Sequence, residues 1–332
     1  MTTGNRRIVL ADRPSGKAGL EHFRLETVPM PSPAEDQVLV RNHWLSLDPY
    51  MRGRMSAARS YAAPQPVGET MIGGTAGEVI QSRHPKFEAG DRVVGMLGWQ
   101  EYALSDGKGL MKVDTRAIPL SAYLGAVGMP GVTAWYGLNR IIEPRAGQTV
   151  AVSAASGAVG MVVGQLAKLA GCRAVGIAGG PDKCRFVVED LKFDACVDYK
   201  RPDLEAQLEA ACPDGVDGYF ENVGGRVLDA MLPRLNPFGR IALCGLIAAY
   251  SGESAPIANP RWFLISRLKL QGFIVAEHME LWPAALAELG AHVAAGRLRY
   301  RESVAHGLES APQAFLGLLE GRNFGKQLVK LA

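Results

Sequence analysis

No cysteine precedes Cys172, and the five present, Cys172, Cys184, Cys196, Cys212 and Cys244, include no C-x-x-C pair. An odd, widely spaced set suggests neither a metal knuckle nor a disulfide framework. These residues read as small buried hydrophobes in a reducing compartment. Histidine is equally sparse: His22, His43, His84, His278, His292 and His306 are scattered. Zinc needs about four N, S or O ligands, three of them from protein at a catalytic site. No metal site is therefore expected, and His43 reads as structural. Neither sign of charge dominates, with 36 Lys plus Arg against 33 Asp plus Glu and a formal charge of +3. That balance gives no case for nucleic acid or an anionic membrane as partner. No apolar run reaches the roughly 18 residues of a membrane span, and residues 1–10 lack the apolar core of a secretory signal. A soluble, cytoplasmic protein is expected.

What is present is a chain of 332 residues, 48% hydrophobic, with 39 glycines clustered in short turns. That is enough for two domains with sizeable cores. The first 120 or so residues read as short strands, at 37–41, 75–80 and 91–95, separated by proline and glycine turns. They suggest a compact barrel-like β domain. The middle then alternates. Strands are expected at 148–153, 172–178, 195–198, 216–221, 240–244 and 268–275. Helices are expected from the 154–160 turn onward and at 182–191, 204–212 and 227–235. In the first helix Val159, Val162, Val163, Leu166 and Leu169 recur at spacings of three and four and are expected to be buried. This is the pattern of an α/β fold with a six-stranded, doubly wound parallel sheet. A long helix at 281–295, a short one at 312–319 and a final strand at 326–331 complete the chain, and this tail is expected to return to the first domain. The domains are expected at 1–125 with 300–332, and at 126–299.

The most informative stretch is Ala155-Ser156-Gly157-Ala158-Val159-Gly160, which follows a strand and opens a helix. Gly157 would let backbone approach a pyrophosphate, Gly160 would let helix and strand pack closely, and the helix N-terminus offers N–H groups and a positive dipole end. Ala155 stands where the usual fingerprint has its first glycine. The second strand decides which dinucleotide fits. An NAD-binding chain usually ends it with an acid that bonds the ribose hydroxyls. Here it ends Ala178-Gly179-Gly180, followed by Pro181-Asp182-Lys183-Cys184-Arg185. Lys183 and Arg185 could meet a 2′-phosphate, for which Gly179 and Gly180 leave room, and Tyr199 at the third strand's end could bond it. NADPH is the expected cofactor. Asp182 is expected to cap the following helix. Ligands in such sheets bind at C-terminal strand ends, where Glu221-Asn222-Val223-Gly224-Gly225 and Cys244-Gly245-Leu246-Ile247 lie. Asn222 is the candidate there.

Several motifs together resemble the medium-chain dehydrogenase/reductase superfamily. They are Leu45-Ser46-Leu47-Asp48-Pro49-Tyr50-Met51-Arg52-Gly53-Arg54-Met55, Gly128-Met129-Pro130-Gly131-Val132-Thr133-Ala134, the 154–160 turn, 221–225, Gln271-Gly272-Phe273-Ile274 and Gly321-Arg322-Asn323-Phe324-Gly325-Lys326. Within the superfamily the chain resembles the zinc-independent double-bond reductases, a group of prostaglandin, 2-alkenal and curcumin reductases. The resemblance implies a Rossmann domain and a GroES-like domain. It implies that Lys183 and Tyr199 hold the 2′-phosphate, and that Thr133, Ser156, Gly157, Ala158, Val159, Gly160, Gly179, Asn222, Cys244, Gly245 and Asn323 line the cofactor. The run from Gly272 to Val275, with Phe273, would hold the carboxamide through backbone groups. Tyr50 would line the substrate pocket and Tyr250 would lie near the substrate carbonyl. Some relatives place the pocket tyrosine where this chain has Ile265. Zinc-dependent cousins carry Cys and Gly-His-Glu ligands, where this chain has Gly73-Gly74-Thr75. The implied activity is reduction of the C=C bond of α,β-unsaturated ketones and aldehydes, by hydride addition at the β carbon. A hydrogen-bond donor must then stabilise the enolate oxygen; Tyr250 is the first candidate, and a dimer is implied. A quinone reductase, an alcohol dehydrogenase and a non-catalytic NADPH-binding protein are the competing readings. The missing zinc ligands argue against the alcohol dehydrogenase. The loops 57–67 and 252–262 are expected to set pocket size.

Overall fold

The computed structural model describes residues 4–250 and 254–331, and the chain divides into two compact units. The first comprises Met1–Gly125, Tyr250–Gly252 and Glu302–Ala332; the second comprises Ala126–Ala249 and Glu253–Arg301. In chain order the first unit supplies β1 (Gly4–Leu10), β2 (Phe23–Pro29), β3 (Val38–Ser46), β4 (Thr75–Ser82), β5 (Arg92–Gly95), β6 (Tyr102–Ser105) and β7 (Met111–Lys112). The second supplies β8 (Thr149–Ser153), β9 (Arg173–Ala178), β10 (Ala195–Asp198), β11 (Val216–Glu221), β12 (Leu235–Leu243) and β13 (Lys269–Gly272). β14 (Glu302–His306) and β15 (Lys326–Lys330) lie in the first unit.

In the first unit, β1 and β2 form an antiparallel pair, and a larger sheet runs β14-β15-β3-β4-β5-β7 with β6 also on β3. All its pairings are antiparallel except β14 with β15. Short strands punctuated by glycine and proline suit this architecture, because each turn reverses the chain within a few residues. The core beneath it is aromatic. Trp99 stacks on Phe23 at 5.5 Å between ring centres and meets Phe315 edge-on at 5.6 Å. Phe315 comes from the helix Ala311–Leu319, so the C-terminal segment is part of this core.

The second unit holds an all-parallel sheet in the order β10-β9-β8-β11-β12-β13. Numbered from β8, this is the 3-2-1-4-5-6 order of a doubly wound dinucleotide fold. β8, at its centre, is buried at all positions, as a strand covered on both faces must be. One apolar layer gathers the helices Met129–Tyr136, Gly160–Leu169 and Trp282–Ala294. The other gathers Leu204–Ala211 and Gly225–Met231. Each fully buried Val, Leu or Ile in these layers contributes about 1.5–3 kcal/mol.

Four local expectations need correction. Leu169 is 46% exposed, because it is the last residue of its helix and has turned past the sheet; Met161 and Ala167 are buried there instead. The helix expected at 227–235 ends at Met231, where Pro233 in the following turn supplies no N–H to continue it. β12 begins at Leu235, well before 240. The Asn236-Pro237-Phe238-Gly239 stretch runs inside the strand, with Phe238 at φ 66°. Finally, Asp182 does not cap its helix. Gly180, at φ 101°, holds the cap position and Pro181 the first turn, while Asp182 forms an ion pair with Arg185 one turn on.

Candidate active site

The turn after β8 is built from one unusual residue and one tight contact. Ala154 takes a left-handed conformation at φ 50°, which throws the chain out of the sheet. Ala155 N then donates to Ile177 O at 2.9 Å and Gly157 N to Ala154 O at 2.8 Å. The left-handed step thus falls at Ala154, one residue before the alanine that replaces the fingerprint glycine. A Cβ on Gly160 would overlap the Ala154 carbonyl oxygen, so only glycine lets the helix start this close to the strand. Ser156 is buried, and Ala158 and Val159 precede the helix Gly160–Leu169. The early amides of a helix lack intrahelical acceptors and carry a partial positive charge, which suits a pyrophosphate.

A second cluster forms where β9 and β10 end. A Cβ at Gly179 would come within 2.8 Å of Tyr199 Cε1 and 3.0 Å of its hydroxyl, with Lys200 Cε at 3.1 Å. Gly179 therefore makes room for Tyr199 and Lys200. Asp198 Oδ1 accepts from Gly180 N at 2.8 Å and from Lys200 N at 3.0 Å, which ties the two strand-end turns together. Burial, and then the Lys200 ammonium, hold the half-buried Lys183 below the ordinary lysine pKa. Burial and then Asp198 raise the Tyr199 pKa, so its phenol stays protonated and can donate. Two mutually repelling cations beside a phenol make a corner that a dianion would relax. Lys200 was not singled out from sequence, although it follows Tyr199 directly. Arg185, which was, has its guanidinium on Asp182.

The ends of β8, β11 and β12 are locked by Glu221, which is fully buried. Its Oε1 accepts from Ser153 Oγ at 2.7 Å, from Val223 N, and from Gly224 N at 3.0 Å. Its carbonyl oxygen accepts from Cys244 N at 2.9 Å and Gly245 N at 3.2 Å. Asn222 donates from its backbone N to Ser153 Oγ at 2.7 Å and from Nδ2 to Ser153 O at 2.8 Å. Its side-chain orientation is thereby set, with Oδ1 as the acceptor left for a ligand. Burial first, and Glu221 second, push the Cys244 thiol up to about 12, so it is neutral and unreactive.

At the far edge, the Phe273 ring packs against Tyr136 at 5.3 Å and edge-on to Phe220 at 6.1 Å. Only the Phe273 backbone is then suited to meet a ligand. The buried Val275 carbonyl already accepts from Trp282 Nε1 at 3.2 Å. Thr133 Oγ1 donates to Met129 O at 2.7 Å within its own helix, leaving it acceptor capacity.

The remaining candidates lie in the first unit, except Ile265, which lies in the second. Tyr50 opens the helix Tyr50–Arg54, and its hydroxyl is buried with no hydrogen-bond partner among the described residues. Burial, and then the Asp48 carboxylate, raise its pKa well above that of an ordinary phenol, so it remains a neutral donor. Tyr250 is half-buried and precedes residues 251–253, which lie outside the described set, as does that part of the 252–262 loop. Asn323 Nδ2 donates to Gly325 O at 2.7 Å. Ile265 is 47% exposed. Burial is the main cause lowering the His43 pKa, and its Nε2 lies 3.7 Å from Glu78. Among the described residues no group of three or more His, Cys, Asp or Glu could hold a metal ion.

Comparison with known proteins fits this geometry. Residues 6–113 match the family model described as the N-terminal domain of oxidoreductase, and residues 158–291 the one described as zinc-binding dehydrogenase. The chain is 47% identical to the NADPH-dependent curcumin reductase of Escherichia coli strain K12, over 99% of this chain and 97% of that protein. It is 42% identical to the 2-alkenal reductase (NADP(+)-dependent) of Nicotiana tabacum, over 99% and 98%. The crystal structure of CurA in complex with NADPH from Vibrio vulnificus matches with a TM-score of 0.94 at 47% identity, covering 98% of this chain and 99% of that one. Fold, turn and kinship define a two-domain oxidoreductase, with a Rossmann domain and a GroES-like domain. The chain belongs to the zinc-independent branch of the medium-chain dehydrogenase/reductases.

Proposed function

We propose that this chain is an NADPH-dependent reductase of the carbon–carbon double bond of α,β-unsaturated ketones and aldehydes. Kinship carries the reaction: relatives 47% and 42% identical across nearly the whole chain are named as curcumin and 2-alkenal reductases. The residues present fit the cofactor. Lys183, Lys200 and Tyr199 would hold its 2′-phosphate and the amides near Gly160 its pyrophosphate. Asn222, Cys244, Gly245, Thr133 and the Phe273–Val275 backbone would meet the remainder. Bound NADPH supplies a hydride to the substrate's β carbon.

The chain's own work lies at the carbonyl oxygen, where negative charge develops as the enolate forms. A neutral phenol donating there lowers the barrier without an added proton. Tyr250 and Tyr50 are the two donors assigned, with Tyr50 offering a buried hydroxyl that has no other described partner. Water then supplies the proton to the α carbon. We further propose a cytoplasmic homodimer. Edge strand β13 pairs with β12 alone among described strands, and Leu264 and Phe238 beside it are 81% and 70% exposed. No described helix is long and apolar enough to cross a membrane.

The test is a panel of NADPH oxidation rates with enones, enals, quinones and secondary alcohols with NADP+. Turnover of enones and enals above the rest is expected. Preference for quinones would favour the quinone reductase, and failure on the whole panel would favour a non-catalytic binding protein. Light scattering checks the dimer.

A further inference from the structure

Lys326 is enclosed to 1% relative exposure, an unusual place for an ammonium group. Its Nζ donates to Leu47 O at 2.7 Å and to Asp48 Oδ1 at 2.8 Å, partners 279 and 278 residues away in sequence. Asp48 Oδ2 accepts from Ser46 Oγ, and Leu47 N donates to Gln327 O at 3.2 Å. The start of β15 thus grips residues 46–48 through both backbone and side chains. Two residues on stands Tyr50. The intervening Pro49 sits at φ −59°, a value its ring enforces, and Met51 N donates to Asp48 O at 3.1 Å. Little slack remains between the Lys326 ammonium and the Tyr50 ring.

Stability alone does not call for this arrangement. Apolar side chains of similar volume fill such space as well as a buried ion pair, or better. What the pair adds is direction, since each of its hydrogen bonds fixes an atom relative to β15. Among the described residues the Tyr50 hydroxyl has no bond of its own to aim it, so its position is inherited from the backbone that carries it. Glu302, the register partner of Lys326 in β14, does not compete for that role. Its Oε1 is buried with no hydrogen-bond partner among the described residues, and burial is the main cause that raises its pKa.

We propose that Lys326 is a positioning residue, which, through Asp48 and the Leu47 carbonyl, holds the Tyr50 hydroxyl where the enone oxygen is received. This rests on the assignment of Tyr50 as a donor. The test is a double-mutant cycle with Lys326→Met, Tyr50→Phe and both together. Its readouts are kcat and KM for an enone, NADPH affinity by fluorescence titration, and thermal unfolding. Lys326→Met is expected to lower kcat about ten-fold or more, the scale of a displaced oxyanion donor. KM and NADPH affinity should change by less than about two-fold, because a group acting only in the transition state leaves ground-state binding intact. In the Tyr50→Phe background the same change should cost nothing more. Ser46→Ala loosens only the Asp48 end, should act in the same direction, and completes the cycle if Lys326→Met does not fold. Losses that multiply in the double variant, or parental kcat in either single positioning variant, overturn the positioning role and leave Tyr50 standing as donor. Parental kcat in Tyr50→Phe overturns the donor assignment itself, and the proposal with it.

Discussion

The phosphate corner of the second unit and the Tyr50 segment of the first solve opposite problems. The corner is half-open and polar. Lys183, Tyr199 and Lys200 come from two adjacent strand-end turns tied by Asp198, and the two ammonium groups repel each other. The Tyr50 segment is closed, its phenol without a partner among the described residues and its backbone held by an ion pair that joins positions 278 apart. A recognition corner can be assembled locally and left to its ligand to complete. A donor that must already be aimed when charge develops needs a rigid support brought from far along the chain.

The contrast breaks most readily at the phenols. Tyr50→Phe is expected to lower kcat for an enone by about 100-fold, the loss typical of one oxyanion donor. Tyr250→Phe should cost about ten-fold or more by the same physics. In stopped-flow single turnovers these losses appear in the hydride-transfer step and leave NADPH binding alone. Because the Tyr50 pKa lies above the ordinary 10.0, kcat should not fall with the titration of a normal phenol. A decline centred at the ordinary value would argue against that donor.

At the corner the sign is reversed: binding changes and kcat does not. Lys183→Ala should raise KM for NADPH about 10- to 100-fold, matching the roughly 1.5–3 kcal/mol of a hydrogen bond to a charged group. KM for NADH should barely move. Lys200→Ala should act in the same direction and more weakly, whereas Arg185→Ala should leave both constants near the parent's. Equal effects on NADPH and NADH would end the assignment of the corner. Smaller still, and confined to stability, is Gly160→Ala. The added Cβ overlaps the Ala154 carbonyl oxygen, and overpacking of this kind costs about 1–3 kcal/mol, measurable by urea unfolding with and without NADPH.

What sequence reading reached follows the same division. The six parallel strands were legible because each is a short apolar run ended by turn residues, and the 154–160 turn because its spacing is local. β12 was misplaced because Pro237-Phe238-Gly239 carries turn chemistry inside a strand, where tertiary pairing overrides local preference. Asp182 was misread because a glycine and a proline already occupied the helix start. The Lys326–Asp48 pair left no local trace: nothing in either motif announces that one will bury its charge against the other. Tyr250 was legible as a motif, and it is followed in the chain by residues 251–253, outside the described set.

Hydride destination tests the account most directly. With NADPH deuterated at its transferable position and a simple enone as substrate, the product should carry deuterium on the former β carbon, and its ketone should be intact when read by NMR. Deuterium on the carbonyl carbon, in an allylic alcohol, would contradict double-bond reduction and the role given to both phenols.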